Sequence, residues 1–194
     1  MARPREFNET EVVESAMHVF WRKGYQATSV QDLVEATGLQ RGSLYGAFGD
    51  KHGLFMAALG SYSELVLSRL RSMLEQASDP VEGLREFVRM GGLDCMNERQ
   101  AKMGCLVGNT CSELAADDEV VRRRVTTAIS GIQATMADAL RQGQRQGTFG
   151  VERDPVAVAT FVQCSLQGLS VLARSNPGDD VINGVVGEIL RVLE

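Results

Sequence analysis

Side chains able to make strong, directional hydrogen bonds crowd the segment between Thr28 and Lys51: Thr28, Ser29, Gln40, Arg41, Ser43, Tyr45 and Lys51. The arginine fork matches guanine O6 and N7, glutamine matches adenine N6 and N7, and serine serves either base. Gln40, Arg41 and Ser43 on one short helix therefore form an inventory suited to reading base edges in a major groove. Gly42, between them, costs a helix about 1 kcal/mol relative to alanine, and its missing side chain lets the backbone approach a base or phosphate closely. Lys51 follows Asp50 in the first turn of the next helix, where the helix dipole disfavours a cation. A phosphate bound there reverses the sign, because amide donors and the ammonium then converge on one anion. Thr28 and Ser29 have the same double character, as helix caps or as phosphate ligands.

Other chemistry is weaker. Cys95, Cys105, Cys111 and Cys164 contain no CxxC pair, and in a chain of this size they read as reduced thiols rather than a disulfide scaffold. No His stands at metal-ligand spacing from His18 or from the cysteines, so no metal and no cofactor is expected.

The elements that position these groups read as all-α. Pro80, Pro155 and Pro177 each follow an Asp or Asn, the signature of a helix cap with proline at the first helical position. Val12, Val13, Ala16, Met17 and Phe20 follow the 3.6-residue period behind Asn8, and Gly24 ends that helix. A stripe from Leu54 to Met73 continues the period behind Asp50. Further helices are expected near Pro80, Met103, Asp117, Pro155 and Pro177, about nine in total. Two short helices, about 29–36 and 40–46, flank the turn Thr37-Gly38-Leu39, which is a helix-turn-helix arrangement. Val30, Leu33, Val34, Leu39, Leu44 and Phe48 lock it to the first helix. Arg122-Arg123-Arg124 reads as a solvated helix face paired with Asp118 and Glu119.

From Glu9 to Leu59 the sequence resembles the DNA-binding domain of TetR/AcrR-type transcriptional regulators. The matching pieces are Ala16 to Tyr25, Ala27-Thr28-Ser29-Val30, and Gly42-Ser43-Leu44-Tyr45 followed by Phe48 and Lys51. The resemblance implies a helix-turn-helix domain over residues 1–50 and an effector-binding and dimerisation bundle over 51–194. It implies a homodimer on a palindromic double-stranded DNA operator, released by a small-molecule effector, with repression the family's commoner mode. Gln40, Arg41, Gly42 and Ser43 match base-reading positions, and Thr28, Ser29, Tyr45 and Lys51 match phosphate contacts. Gly46 departs from the commoner bulky polar residue after the tyrosine.

In the bundle, Phe87, Met90, Met103 and Met136 are candidate pocket residues, with Phe161 and Leu166, since methionine adapts to irregular ligands. Few charges fall among them, which favours an apolar or aromatic effector. Met103-Gly104-Cys105-Leu106 is similar to family members that sense electrophiles or oxidants through a thiol, with Cys111 or Cys95 as a resolving partner. Inert thiols are the alternative reading. Val158, Val162, Leu166 and Leu169, then Val181, Val185 and Ile189, give the last two helices broad apolar faces. As implied by the resemblance these form a two-fold four-helix interface; the alternative is that they only cap the protomer's own core.

The chain has 194 residues and a net charge of −5. Residues 1–60 carry six basic and seven acidic side chains. With the acids clustered on the first two helices, Arg3, Arg5, Arg41 and Lys51 are left to face phosphate. Such a balance argues against non-specific coating of nucleic acid and for selective binding. No apolar run of membrane-spanning length and no apolar leader is expected, which suits a cytoplasmic protein without a membrane partner. The competing classes are a helical small-molecule-binding module without DNA affinity and a thiol-dependent enzyme. The enzyme reading leaves Gly42 and Lys51 unexplained and offers no base beside a cysteine.

Overall fold

A computed structural model describes residues 7–194. Arg3 and Arg5, expected at phosphate, lie outside the described residues. Every regular element among those described is helical: α1 (Glu9–Lys23), α2 (Val30–Thr37), α3 (Arg41–Phe48), α4 (Lys51–Gln76), α5 (Pro80–Met96), α6 (Glu98–Met103), α7 (Leu106–Glu113), α8 (Glu119–Gln146), α9 (Pro155–Ala173) and α10 (Asp179–Val192). The six-residue α6 is the addition to the expected set.

Two of the three proline signals open helices. Asp79 accepts the N–H of Val81 at 2.8 Å and of Glu82 at 3.1 Å ahead of Pro80, and Asp154 accepts that of Val156 at 2.9 Å ahead of Pro155. Asn176-Pro177 does not. Asn176 takes a left-handed φ of 52°, which asparagine tolerates, and α10 starts only at Asp179 behind Gly178, without a side-chain cap. The chain also breaks where one helix was expected to start near Met103: α6 ends there, Gly104 turns, and Cys105 caps α7.

Two apolar cores share two long helices. The first gathers Phe20, Leu33, Leu44, Leu54, Phe55 and Leu59, closed by Leu106 of α7 and by Val121 and Val125 of α8. The second gathers Leu70, Val81, Leu84, Met136, Leu140, Leu169 and Ile189. Asp50 caps α4, and the N-terminal core continues past the expected division at residue 50, through Tyr62. Helices α4 and α8 therefore carry mechanical continuity from one core to the other.

Helix α9 is apolar on two sides. By length and composition alone it reaches membrane-spanning character, against the expectation that no segment does. Val158, Val162 and Leu169 point into the protomer's own core, as does Ile189 of α10. These four, expected at a two-fold interface, are buried in the protomer's core, and on α9 the period sets Val158, Val162 and Leu169 one residue beyond an outer stripe. That stripe is Ala157, Phe161, Cys164, Gly168 and Val171, all exposed and at heptad-like spacing. Val181 of α10 is exposed, Val185 is half-buried, and Leu166 lines a partly open cavity.

Candidate nucleic-acid interface and the cavity behind it

The recognition unit begins with a reciprocal cap. Ser29 Oγ accepts the N–H of Asp32 at 3.1 Å, and Asp32 Oδ2 accepts that of Ser29 at 2.9 Å. Asp32 Oδ1 also takes Lys23 Nζ at 2.5 Å. The hydrogen bond from Lys23, then those from Ser29, hold this carboxyl down at about 2. Gly38, at φ 69°, supplies the left-handed turn between α2 and α3. Leu33 and Leu44 are fully buried on either side of it.

Burying Leu44 forces the opposite edge of α3 outward. Gln40, Arg41, Gly42 and Ser43 are all exposed in sequence. Gln40 precedes the helix without a side-chain cap bond, and no acid stands in the first turn, so its amide donors and the positive end of its dipole remain available to an anion. A Cβ built on Gly42 meets nothing within 4 Å; the fold itself has no need for glycine there. Arg41 lies over the Tyr45 ring, its guanidinium carbon 5.4 Å from the centroid, which holds the fork at the exposed edge.

Lys51 Nζ stands 4.4 Å from the centroid of Tyr25, and partial burial lowers its pKa. Its charge is placed at the α4 N-terminus by an aromatic platform rather than left mobile in solvent. Thr28 differs from its expected role. It is 1% exposed, and its hydroxyl donates to Gly24 O at 2.6 Å, so its side chain is committed to the α1–α2 turn and cannot reach phosphate. His52, beside Lys51, pairs with Asp118 at 3.0 Å. Asp118 caps α8, leaving Glu119 to pair with Arg122 and, at 3.8 Å, with Arg123.

Behind this unit lies a cavity of about 290 Å³ between α1, α4, α5, α6, α8 and α9, near the lower end of small-molecule sites. Phe87, Met90, Cys105, Met136 and Leu166 line it. Met103 is buried elsewhere, while Cys111 and Phe161 are exposed on the outer sides of α7 and α9. Residues of the wall not anticipated from sequence include Trp21, Tyr62, Gln100, Gln163 and Gln167. Trp21 is half-buried against the N-terminal core, edge-on to Tyr62 with centroids 4.9 Å apart, and its indole N–H donates to Gly104 O at 2.8 Å.

Two thiols share the wall. Burial, then the nearby Asp94 and Cys105, push the Cys95 thiol up to about 11, so it is protonated and a poor nucleophile at neutral pH. Cys105 Sγ faces donors: the N–H of Gly108 at 3.5 Å and Gln167 Nε2 at 3.4 Å. Burial also raises the Tyr62 phenol well above its ordinary value. Cys111 is six residues along α7 from Cys105, a rise of roughly 9 Å, too far for a disulfide while α7 is intact. Among the described residues no group of three His, Cys, Asp or Glu side chains gathers as a metal site.

Residues 12–58 match the model for bacterial regulatory proteins of the tetR family, and residues 80–181 match the tetracyclin repressor-like C-terminal domain. The chain belongs to the TetR family. Among its relatives is the transcriptional repressor ComR of Escherichia coli K12, 30% identical over 190 residues that cover 98% of this chain and 90% of ComR. The uncharacterized HTH-type regulator YezE of Bacillus subtilis is 27% identical over the full length of both chains. A cysteine-substituted form of the TetR family regulator CifR, solved on 26-base-pair double-strand operator DNA, is 30% identical with a TM-score of 0.85 over 98% of each chain. This TetR-family chain is thus a DNA-binding transcriptional regulator, and its relatives are regulators rather than enzymes.

Proposed function

We propose that the chain is a cytoplasmic homodimeric repressor that holds a two-fold-symmetric operator and releases it when a small molecule enters the cavity. The observation that carries this reading is the exposed run Gln40-Arg41-Gly42-Ser43 on a helix whose other side is locked by buried Leu44. A dimer sets two such helices about 34–36 Å apart, so half-sites one helical turn apart match it. The outer stripe of α9 around Phe161, with Val181 and Val185 of α10, supplies the apolar surface for the two-fold contact.

Effector release requires that the ligand favour a state with wrong half-site spacing. Two ties support such coupling: Trp21 on the cavity wall bonds to Gly104, and α7 runs from Cys105 on that wall to the α1–α2 turn. Cys105 also supports an electrophile or oxidant as effector, because its sulfur is on the cavity wall at the α7 N-terminus with amide donors facing it. Cys95 lines the same cavity, but its raised pKa makes it a slow resolving partner at neutral pH.

A mobility-shift titration on DNA upstream of the protein's own gene, combined with sedimentation, tests the proposal. A dimer binding one symmetric site at nanomolar concentration is expected; a monomer, or binding indifferent to sequence, overturns it. Mild oxidation that leaves the DNA complex unchanged removes the thiol-sensing part alone.

A further inference from the structure

Gln163 on α9 is only 5% exposed, yet among the described residues neither its amide oxygen nor its amide nitrogen has a hydrogen-bond partner. Buried polar groups without partners are rare, because each forfeits its hydration with nothing in return. Gln163 lines the cavity, and two more carboxamides stand in the same wall. Gln100 Oε1 is buried and unpartnered, and Gln167 gives its Nε2 to Cys105 while its own Oε1 stays unpartnered. The wall therefore offers three carboxamides with hydrogen-bonding capacity left unused, both atoms of Gln163 among them. Most of the remaining surface is apolar, formed by Phe87, Met90, Met136 and Leu166.

Among the described residues the wall's one arginine is paired, and His18 is its one other basic side chain. Arg69 and Asp94 pair at 3.2 Å, and both are nearly half exposed. A carboxylate or phosphate inside would meet no unpaired lysine or arginine among the described residues of the wall, and an ammonium would lose its water with no free carboxylate to replace it. We infer that the cavity takes a neutral, mostly apolar molecule carrying a hydroxyl head, a phenol or an alcohol. The hydroxyl proton is donated to an amide oxygen of Gln163 or Gln100, and the hydroxyl oxygen accepts from Gln163 Nε2. The apolar body lies against the methionine and phenylalanine side chains. This chemistry rests on the reading of the cavity as the effector site for its regulatory meaning, while the binding itself is measured without DNA.

Three probes with one body separate the alternatives: 4-propylphenol, its methyl ether 4-propylanisole, and 4-propylbenzoate. Trp21 is the chain's single tryptophan and stands in the cavity wall, so its fluorescence reports occupancy, with calorimetry as a second readout. The phenol is expected to bind at least tenfold tighter than the ether, with the benzoate weakest, because an unmet buried hydrogen bond is penalised. Gln163→Met keeps the length of the side chain without its amide and is expected to bring the phenol-to-ether ratio within twofold. Gln100→Met, an independent variant, is expected to reduce that ratio in part, and circular dichroism confirms that both are folded. Equal binding of phenol and ether, tightest binding of the benzoate, no binding of any probe, or a ratio indifferent to Gln163→Met overturns the inference. Operator release is read in parallel. A phenol that binds with the expected preference but leaves the DNA complex intact overturns the effector reading and supports the ligand class. Release by the ether or benzoate as readily as by the phenol supports the effector reading and overturns the class.

Discussion

The carboxylate of Glu113 accepts the backbone N–H of Gln26 at 2.7 Å, and its other oxygen accepts that of Tyr25 at 3.0 Å. Glu113 ends α7, while Tyr25 and Gln26 form the turn that launches the recognition unit. Gly24, at φ 80°, aims the turn at this carboxylate, and a Cβ there would stand 2.9 Å from Glu113 Oε2. Replacing Glu113 with Gln puts an amide N–H where an acceptor is required. The substitution is expected to cost about 1–3 kcal/mol in urea unfolding and to speed hydrogen exchange at Tyr25 and Gln26. Unchanged exchange at both amides would show that the clasp does not hold the turn.

Arg41 and Lys51 are expected to fail differently. Arg41→Ala should lose about 1–3 kcal/mol of operator binding and relax preference at one base position. Lys51→Ala should weaken all sequences alike and reduce the salt slope by about one. Binding isotherms on the operator and on single-base variants, across a salt series, distinguish the two. Identical salt slopes for both variants would contradict the division of roles.

The two sides of α9 give a paired test of assembly. Phe161→Glu places a charge in the exposed outer stripe and is expected to shift sedimentation from dimer to monomer with the helical content kept. Ile189→Ala empties a site in the protomer's own core, and should cost about 2–5 kcal/mol of stability. A Phe161→Glu protein that sediments as wild type moves the interface elsewhere.

Acid should loosen the recognition unit through Asp32. Its carboxyl titrates at about 2 in the folded chain against an ordinary 3.8. A lowered native pKa adds stability that is fully present above the unfolded value and is lost as pH falls through the window from about 3.8 to about 2. Asp32→Asn keeps an acceptor for the cap but forfeits the Lys23 pair, so its unfolding midpoint should change less than wild type across that window. Parallel pH profiles for the two proteins would count against the Lys23 bond as the cause.

Locally encoded features were legible from residue types alone. The all-α class, the Asp79 and Asp154 caps, the Gly38 turn and the exposed Gln40-to-Ser43 edge each depend on neighbours within four positions, where propensity and period act. Reading failed where two elements compete for one residue. Thr28 carries a hydroxyl suited to phosphate, but Gly24 O claims it. Val162 and Phe161 are both apolar and adjacent, and only the packing of α9 against its neighbours decides that the first is core and the second surface.

The sequence by itself therefore determined a helical chain with a helix-turn-helix near its start, because those signals are short-range. It also carried enough of the family's spacing to name a DNA-binding regulator. Tertiary structure alone decided which apolar face meets solvent, that Glu113 reaches back 87 residues to the turn at Gln26, and that three carboxamides converge in one cavity. Those relationships depend on the angles at which α4, α7, α8 and α9 cross. Helix period specifies which residues share a face, but not which neighbour that face will meet.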